Sequence, residues 1–320
     1  MLEFLDKLAQ LERRIDRYLP AETSHQLAEP AEPEWWDGVA DPCDADAFLA
    51  AYDSLDEVLI AKGFPPTSPW WRERLEQFFR SGRKTSIWRV GRRGGKSSTM
   101  CRVLVALALF TKWKITPGDI GVISLVSVDS GEATSRLTMI RAILDALGTV
   151  PFAPYSDPTS NGWKFLDRPI QFRVKSCSIS GTSGFTAIAV LADEMSKWRS
   201  PADGKNPSKE ILTSLRATTL TVPGSKIFAV SSAFSTTDHH AKMIDDGDSE
   251  ELDQVTFIGA TWESNPSPEA TEEATRKLEP DKAKWLREFG SIPSDAGENP
   301  WFVTDDVDNV DASVASVSIP

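Results

Sequence analysis

The spacing of hydrophobic positions along this chain changes period several times, and each change marks an element. Phe4, Leu5, Leu8, Leu11 and Ile15 recur at helical intervals, so residues 3–18 read as a short amphipathic helix. Residues 20–44 lose that pattern and are rich in Pro, Glu, Ala and Asp, the composition of a linker. A second helix is expected from Asp44 to about Lys62, stopped by Gly63 and Pro65-Pro66. Trp70–Phe79 reads as a helix and Thr85–Val90 as a strand. A loop at 91–97 then feeds an apolar helix from Ser97 to about Thr111, and Ile120–Val128 is an apolar strand. Between Gly131 and Leu147 a helix is expected, with Leu137, Ile140, Ile143, Leu144 and Leu147 on one face. Short strands follow at Ile170–Val174, Ala187–Ala192 and Lys226–Val230, and the chain turns polar and acidic after Ser291. Strands that are apolar throughout and alternate with helices predict an α/β fold, a mainly parallel sheet flanked by helices on both faces. Three parts are expected: a helical acidic N-terminal segment with its linker over 1–66, the main domain over 67–300, and an acidic tail over 301–320.

Composition changes this picture little until charge is resolved by position. The 320 residues are 40% hydrophobic, enough to bury a core, and no apolar run reaches the roughly 18 residues of a membrane span. The N-terminus carries acids where a signal peptide needs a basic start. Cys43, Cys101 and Cys177 are odd in number and widely spaced, which argues against a disulfide framework or a zinc cluster and fits a reducing, cytoplasmic setting. The net charge of −12 is segregated: residues 67–117 hold 12 basic and 2 acidic side chains, whereas residues 236–320 hold 6 and 20. The basic block surrounds the loop at 91–97, so it serves either a polyanionic nucleotide or a DNA-tracking surface.

That loop carries the chemistry. Gly91-Arg92-Arg93-Gly94-Gly95-Lys96-Ser97, with Ser98 behind it, lies between an apolar strand and an apolar helix. Glycines let backbone N–H groups approach anionic oxygens, and a helix N-terminus favours the anion. Lys96 would reach the β- and γ-phosphates of ATP and the Ser97 hydroxyl would hold Mg²⁺. The spacing departs from the usual phosphate loop, since only three residues separate Gly91 from Gly95. About one hundred residues on, the strand Ala187–Ala192 delivers Asp193 and Glu194 at its C-terminal end, where ligands of open α/β sheets bind. Asp193 would hold Mg²⁺ and Glu194 would orient and deprotonate the attacking water. Ser231 and Ser232 end another strand, where small hydroxyls either report on the γ-phosphate or satisfy their own backbone. A RecA-like P-loop ATPase of the ASCE type is the fold class these elements imply.

The set of three elements resembles the ATPase domain of the large terminase subunit, the DNA-packaging motor of tailed bacteriophages. The likeness lies in a deviant Walker A motif, a Walker B motif ending Val190-Leu-Ala-Asp-Glu194, and a serine-rich strand tip from Val230, and it covers roughly residues 65–300. It implies that Arg92 contacts the γ-phosphate within its own subunit and that Ser231 and Ser232 couple hydrolysis to movement. Upstream, where the family places an aromatic-Gln pair near adenine, this chain has Trp70-Trp71, so Trp70 is expected to stack on the base unless it is simply core. The stretch Ser180–Phe185 lacks the arginine that the family often supplies to a neighbouring subunit, leaving Arg168, Arg173, Arg199 and Arg216 as candidates. The resemblance further implies a homo-oligomeric ring, a pentamer, working on double-stranded DNA with the portal protein and the small terminase subunit in the host cytoplasm. The family's nuclease domain would begin near Trp301-Phe302, so no nuclease activity is expected from these residues. The rival readings are another P-loop translocase or helicase-like ATPase, and a non-motor nucleotide kinase or switch.

Overall fold

The computed structural model describes residues 41–148, 150–157, 160–177, 184–199 and 206–294. The helix expected at 3–18, the linker up to residue 40, most of the stretch at 180–185 and the tail at 301–320 lie outside the described residues. Helix α1 (Ala45–Ala61) starts where the Asp44 carboxylate accepts from the Ala47 N–H at 3.0 Å. Helix α2 (Pro69–Arg80) begins with proline behind Ser68, whose hydroxyl accepts from the Trp71 N–H and donates to the Ser264 carbonyl at 2.7 Å. Strand β1 (Thr85–Val90) leads into α3 (Lys96–Phe110), and β2 (Gly121–Ser127) into α4 (Ser130–Leu147). Strands β3 (Phe152–Asp157), β4 (Ser160–Phe165), β5 (Ile170–Ser176) and β6 (Thr186–Asp193) follow. Then come a 3₁₀ turn at Met195–Lys197, α5 (Ser208–Thr218), β7 (Lys226–Ser231), α6 (His239–Asp245) and β8 (Gln254–Gly259). Short helices α7 (Thr261–Ser264), α8 (Glu272–Leu278) and α9 (Lys282–Glu288) close the described chain.

The eight strands form one sheet in the order β3-β4-β5-β2-β6-β7-β1-β8. Strands β5, β2, β6, β7, β1 and β8 run parallel, as the unbroken apolar runs predict. The hairpin β3–β4 adds an antiparallel edge that the sequence reading missed, as it also missed β8 and helices α5 to α9. Ile87, Val190, Ala192, Ile227 and Ala229 pack against Ile211, Leu212 and Leu215 of α5 and Met243 and Ile244 of α6 on one face. Alternate residues face the other way, where Phe228 meets Phe78 of α2 edge-on. On that second face α3 is buried almost all round, from Lys96 to Phe110, which explains why its apolar run shows no stripe.

Helix α1, which the sequence reading placed in an N-terminal segment, lies against α3 and buries Phe48, Leu49, Tyr52, Leu55 and Leu59. Fully burying each such side chain contributes about 1.5–3 kcal/mol. Asp56 of α1 pairs with Arg102 of α3 and accepts from the Thr67 N–H and hydroxyl, both at 2.9 Å. This network fixes Pro65 and Pro66 at one rim of the site described next. No helix among the described residues is long and apolar enough to cross a membrane.

Candidate active site

The C-terminal ends of β1 and β6 open on a cavity of about 580 Å³, and the end of β7 joins it through the bond from Ser232 to Glu194. The loop 91–95 wraps its floor, and its path requires residues that tolerate close approach. A Cβ on Gly91 would strike the Phe289 carbonyl and Thr261, while Gly95 and Arg93 take positive φ of 86° and 62°. The loop's backbone is held from outside. Thr261 Oγ1 donates to the Arg92 carbonyl and Asn265 Nδ2 to the Arg93 carbonyl, both at 2.7 Å. Trp71 Nε1 donates to the Gly94 carbonyl at 2.6 Å, and the Arg92 N–H donates to the Glu288 carbonyl at 2.7 Å. The N–H groups opening α3 therefore point at a cavity whose walls are already fixed, the arrangement that suits an anion.

Lys96 enters the site from the first turn of α3, 7% exposed, and donates to the carbonyls of Val90 and Gly91 at 2.8 and 3.0 Å. Burial pushes its ammonium down, with Glu194, 3.9 Å away, pulling the other way. Ser97 and Ser98 line the same cavity, and Ser98 Oγ donates back to the Gly95 carbonyl at 3.0 Å. Across from them β6 ends in Asp193 and Glu194. Burial pushes the Asp193 carboxyl up, against the pull of Arg136, whose Nε lies 2.6 Å from Oδ2. Glu194 sits at a φ of 52°, an unusual backbone for a residue with a side chain, of the kind that gathers at functional sites. Its Oε2 accepts from Ser232 Oγ at 3.0 Å and lies 3.0 Å from Lys197 Nζ. Burial alone would raise this carboxyl, but Lys96, Lys197 and the Ser232 N–H overcome it and hold the group at about 2. Ser231 completes the cluster, its hydroxyl accepting from the Ser196 N–H at 3.2 Å.

The structure thus brings together the whole loop with Lys96, Ser97, Ser98, Asp193, Glu194, Ser231 and Ser232. Two expected residues behave differently. Trp70 does not line the cavity: its ring lies over Gly259, beside Trp88, and the tryptophan on the cavity wall is Trp71. Helical spacing explains the exchange, since adjacent positions of a helix point about 100° apart. Arg92 lines the cavity, yet its guanidinium pairs with Glu288 at 2.6 Å and is 57% exposed. Of the arginines weighed for a neighbouring subunit, none lines the cavity. Sequence reasoning missed Trp71, Arg136, Lys197, Thr261, Asn265 and Glu288, which position the expected groups. Only Trp71, next to Trp70, and Lys197, three residues past Glu194, stood close enough in sequence to have been found.

The oxygen donors at the cavity suit Mg²⁺. The Ser97 hydroxyl and the Glu194 carboxylate line the cavity, the Asp193 carboxylate lies just behind Arg136, and with room for phosphate oxygens and water these are the hard ligands this ion takes. Among the described residues no group of three or more His, Cys, Asp or Glu side chains gathers to hold a metal without a substrate.

No protein-family model matches the sequence, and no curated protein is detectably similar to it. Solved structures are similar. The large terminase ATPase domain of Thermus phage P74-26, in a point-mutant form, superposes with a TM-score of 0.54 at 16% identity, over 76% of this chain and 98% of that one. The same domain without that mutation gives 0.53. The large terminase of the thermophilic bacteriophage D6E, in complex with ADP, gives 0.52 at 12% identity, over 70% of this chain and 51% of that protein. This chain therefore spans about half of the D6E protein. The likeness shows the fold: an α/β, RecA-like domain of the kind found in large terminase ATPase domains, as the three motifs implied.

Proposed function

We propose that this chain is the ATP-hydrolysing motor domain of a viral large terminase, an Mg²⁺-dependent ATPase that drives double-stranded DNA into a procapsid. The observation that carries the reading is that one cavity joins the phosphate loop and Lys96 to Glu194 and to Arg136, which covers the Asp193 carboxylate, with Ser232 hydrogen-bonded directly to Glu194. The terminase-like fold and the ADP complex of the D6E relative support it.

In this reading Ser97 and Asp193 hold Mg²⁺, which when bound neutralises charge on the β- and γ-phosphate oxygens. The N–H groups from Gly95 into the first turn of α3 bind the phosphates, since those of Gly91, Arg92 and Gly94 are donated within the protein. Lys96 gives up the Val90 and Gly91 carbonyls to reach them. That movement matters to Glu194, because Lys96 is the strongest attraction holding its carboxyl low. Once Lys96 turns to phosphate, Glu194 becomes a stronger base just where the attacking water needs one. Glu194 Oε2 stays anchored by Ser232 and Lys197, which leaves Oε1 for the water. Arg92 exchanges Glu288 for the γ-phosphate, and Ser231 and Ser232 pass the state of Glu194 into β7. The chain works as a homo-oligomeric ring of five on the portal protein, with the small terminase subunit as a further partner, and stays in the host cytoplasm rather than in the virion.

The test is ATP turnover with Mg²⁺, alone and with linear double-stranded DNA and portal-bearing procapsids. Turnover is expected to rise with both additions. A rate indifferent to them would leave an ATPase and remove the motor; phosphate transferred to a small acceptor would replace it with a kinase.

A further inference from the structure

Asp193 closes an apolar strand and is 2% exposed. A carboxylate at that depth is costly unless it has a counter-charge and hydrogen bonds. Both come from Arg136, in the second turn of α4, whose Nε donates to Asp193 Oδ2 at 2.6 Å. The Arg136 side chain is itself only 13% exposed, yet it borders the cavity beside Met139. Its Nη1 donates to Ser135 Oγ at 2.8 Å, and its main-chain carbonyl accepts a long bond from Cys101 Sγ, so the helix beneath it is fixed while the guanidinium borders open space. A guanidinium does not lose its proton at any working pH, so it can release Asp193 only by moving.

A divalent cation at Asp193 needs the same carboxylate and is repelled by the same guanidinium. We infer that Arg136 is a positioning residue that competes with the divalent cation for Asp193, so that loading the metal is coupled to swinging Arg136 into the cavity. The inference rests on the assignment of Asp193 to Mg²⁺ under Proposed function. It gives the site a conditional character. A lone cation meets an occupied carboxylate, whereas a cation arriving with phosphates brings anionic oxygens that offer Arg136 a new partner.

The experiment measures Mn²⁺ binding to the full chain without nucleotide, by the loss of the free-ion electron paramagnetic resonance signal. Wild type, Arg136→Ala, Arg136→Lys and Asp193→Asn are compared, with the Mn²⁺-induced rise in melting temperature as a second readout. Arg136→Ala is expected to bind Mn²⁺ about ten-fold more tightly, a gain of about 1.4 kcal/mol, and to gain more melting temperature from it than wild type. Arg136→Lys, which keeps a charge but loses the planar fork, is expected between the two and serves if the alanine variant does not fold. A merely structural role would lower the melting temperature equally with and without Mn²⁺ and leave the affinity unchanged, which overturns the inference. If Asp193→Asn abolishes Mn²⁺ binding while both Arg136 variants match wild type, only this inference fails. If Asp193→Asn binds Mn²⁺ as well as wild type, the metal assignment beneath it fails instead.

Discussion

His240 offers the sharpest quantitative prediction. It lies in α6, fully buried against β1 and β7, and neither ring nitrogen makes a well-formed hydrogen bond among the described residues. Burial pushes its imidazole down from 6.5 to about 4, helped by the nearby Arg89 and resisted by the backbone of Trp88 and Ala229 and the charge of Glu194. The folded chain therefore stays neutral at this position while the unfolded chain takes up a proton below pH 6.5. Stability is full above that value and falls as pH drops towards 4. At pH 5 the unfolded imidazole is about one and a half units below its midpoint, so the loss between pH 7 and pH 5 is about 2 kcal/mol. Replacing His240 with leucine removes that dependence. Urea unfolding of both chains at the two pH values cancels contributions from other groups, such as Glu194, whose depressed carboxyl costs stability only below pH 4.5. If wild type and His240→Leu lose the same stability on going from pH 7 to pH 5, the buried imidazole is not neutral and the argument fails.

Glu194→Gln is expected to keep nucleotide affinity within a few-fold, read with a fluorescent ATP analogue, while turnover falls by about 10²–10⁴; near-wild-type hydrolysis would take Glu194 out of its role. Arg92→Ala should cut turnover far more than affinity if, as proposed, Arg92, exposed and paired to Glu288, turns to the γ-phosphate; an equal loss in both would make it a binding residue only. Trp71→Phe keeps an aromatic ring but strips the donor from the buried Gly94 carbonyl, at a cost of about 1–3 kcal/mol in urea unfolding. An unchanged midpoint would mean that this bond does not hold the loop.

How much of this was legible beforehand depended on range. The loop, the acidic pair and the parallel strands were readable because each is a local pattern. β1, β6 and β7 are apolar along much of their length, and the chemistry sits at their ends. The β3–β4 hairpin was not readable, because Pro151, Pro154 and Pro158 break up its apolar run and its edge position lets it carry proline. β8 was hidden for a similar reason: it is an edge strand, and its burial is irregular. The misassigned tryptophan has a different cause. Trp71 stands where the resemblance expects glutamine, and its indole N–H supplies a donor there, but to the loop's own backbone. Arg136, Thr261, Asn265 and Glu288 left no local signal, since each meets the site across a long stretch of chain.

That distance has a consequence for how the protein comes into being. Strand β1 lies between β7 and β8, and its loop is clasped by Thr261, 169 residues downstream. During synthesis from the N-terminus, β1 leaves the ribosome with no neighbouring strand on either side. At about 5–20 residues per second, its partners and the clasp arrive on the order of ten to thirty seconds later. The cavity is thus encoded early and assembled late, and a chain halted before Thr261 would carry every residue of the loop at 91–97 without the walls that shape it.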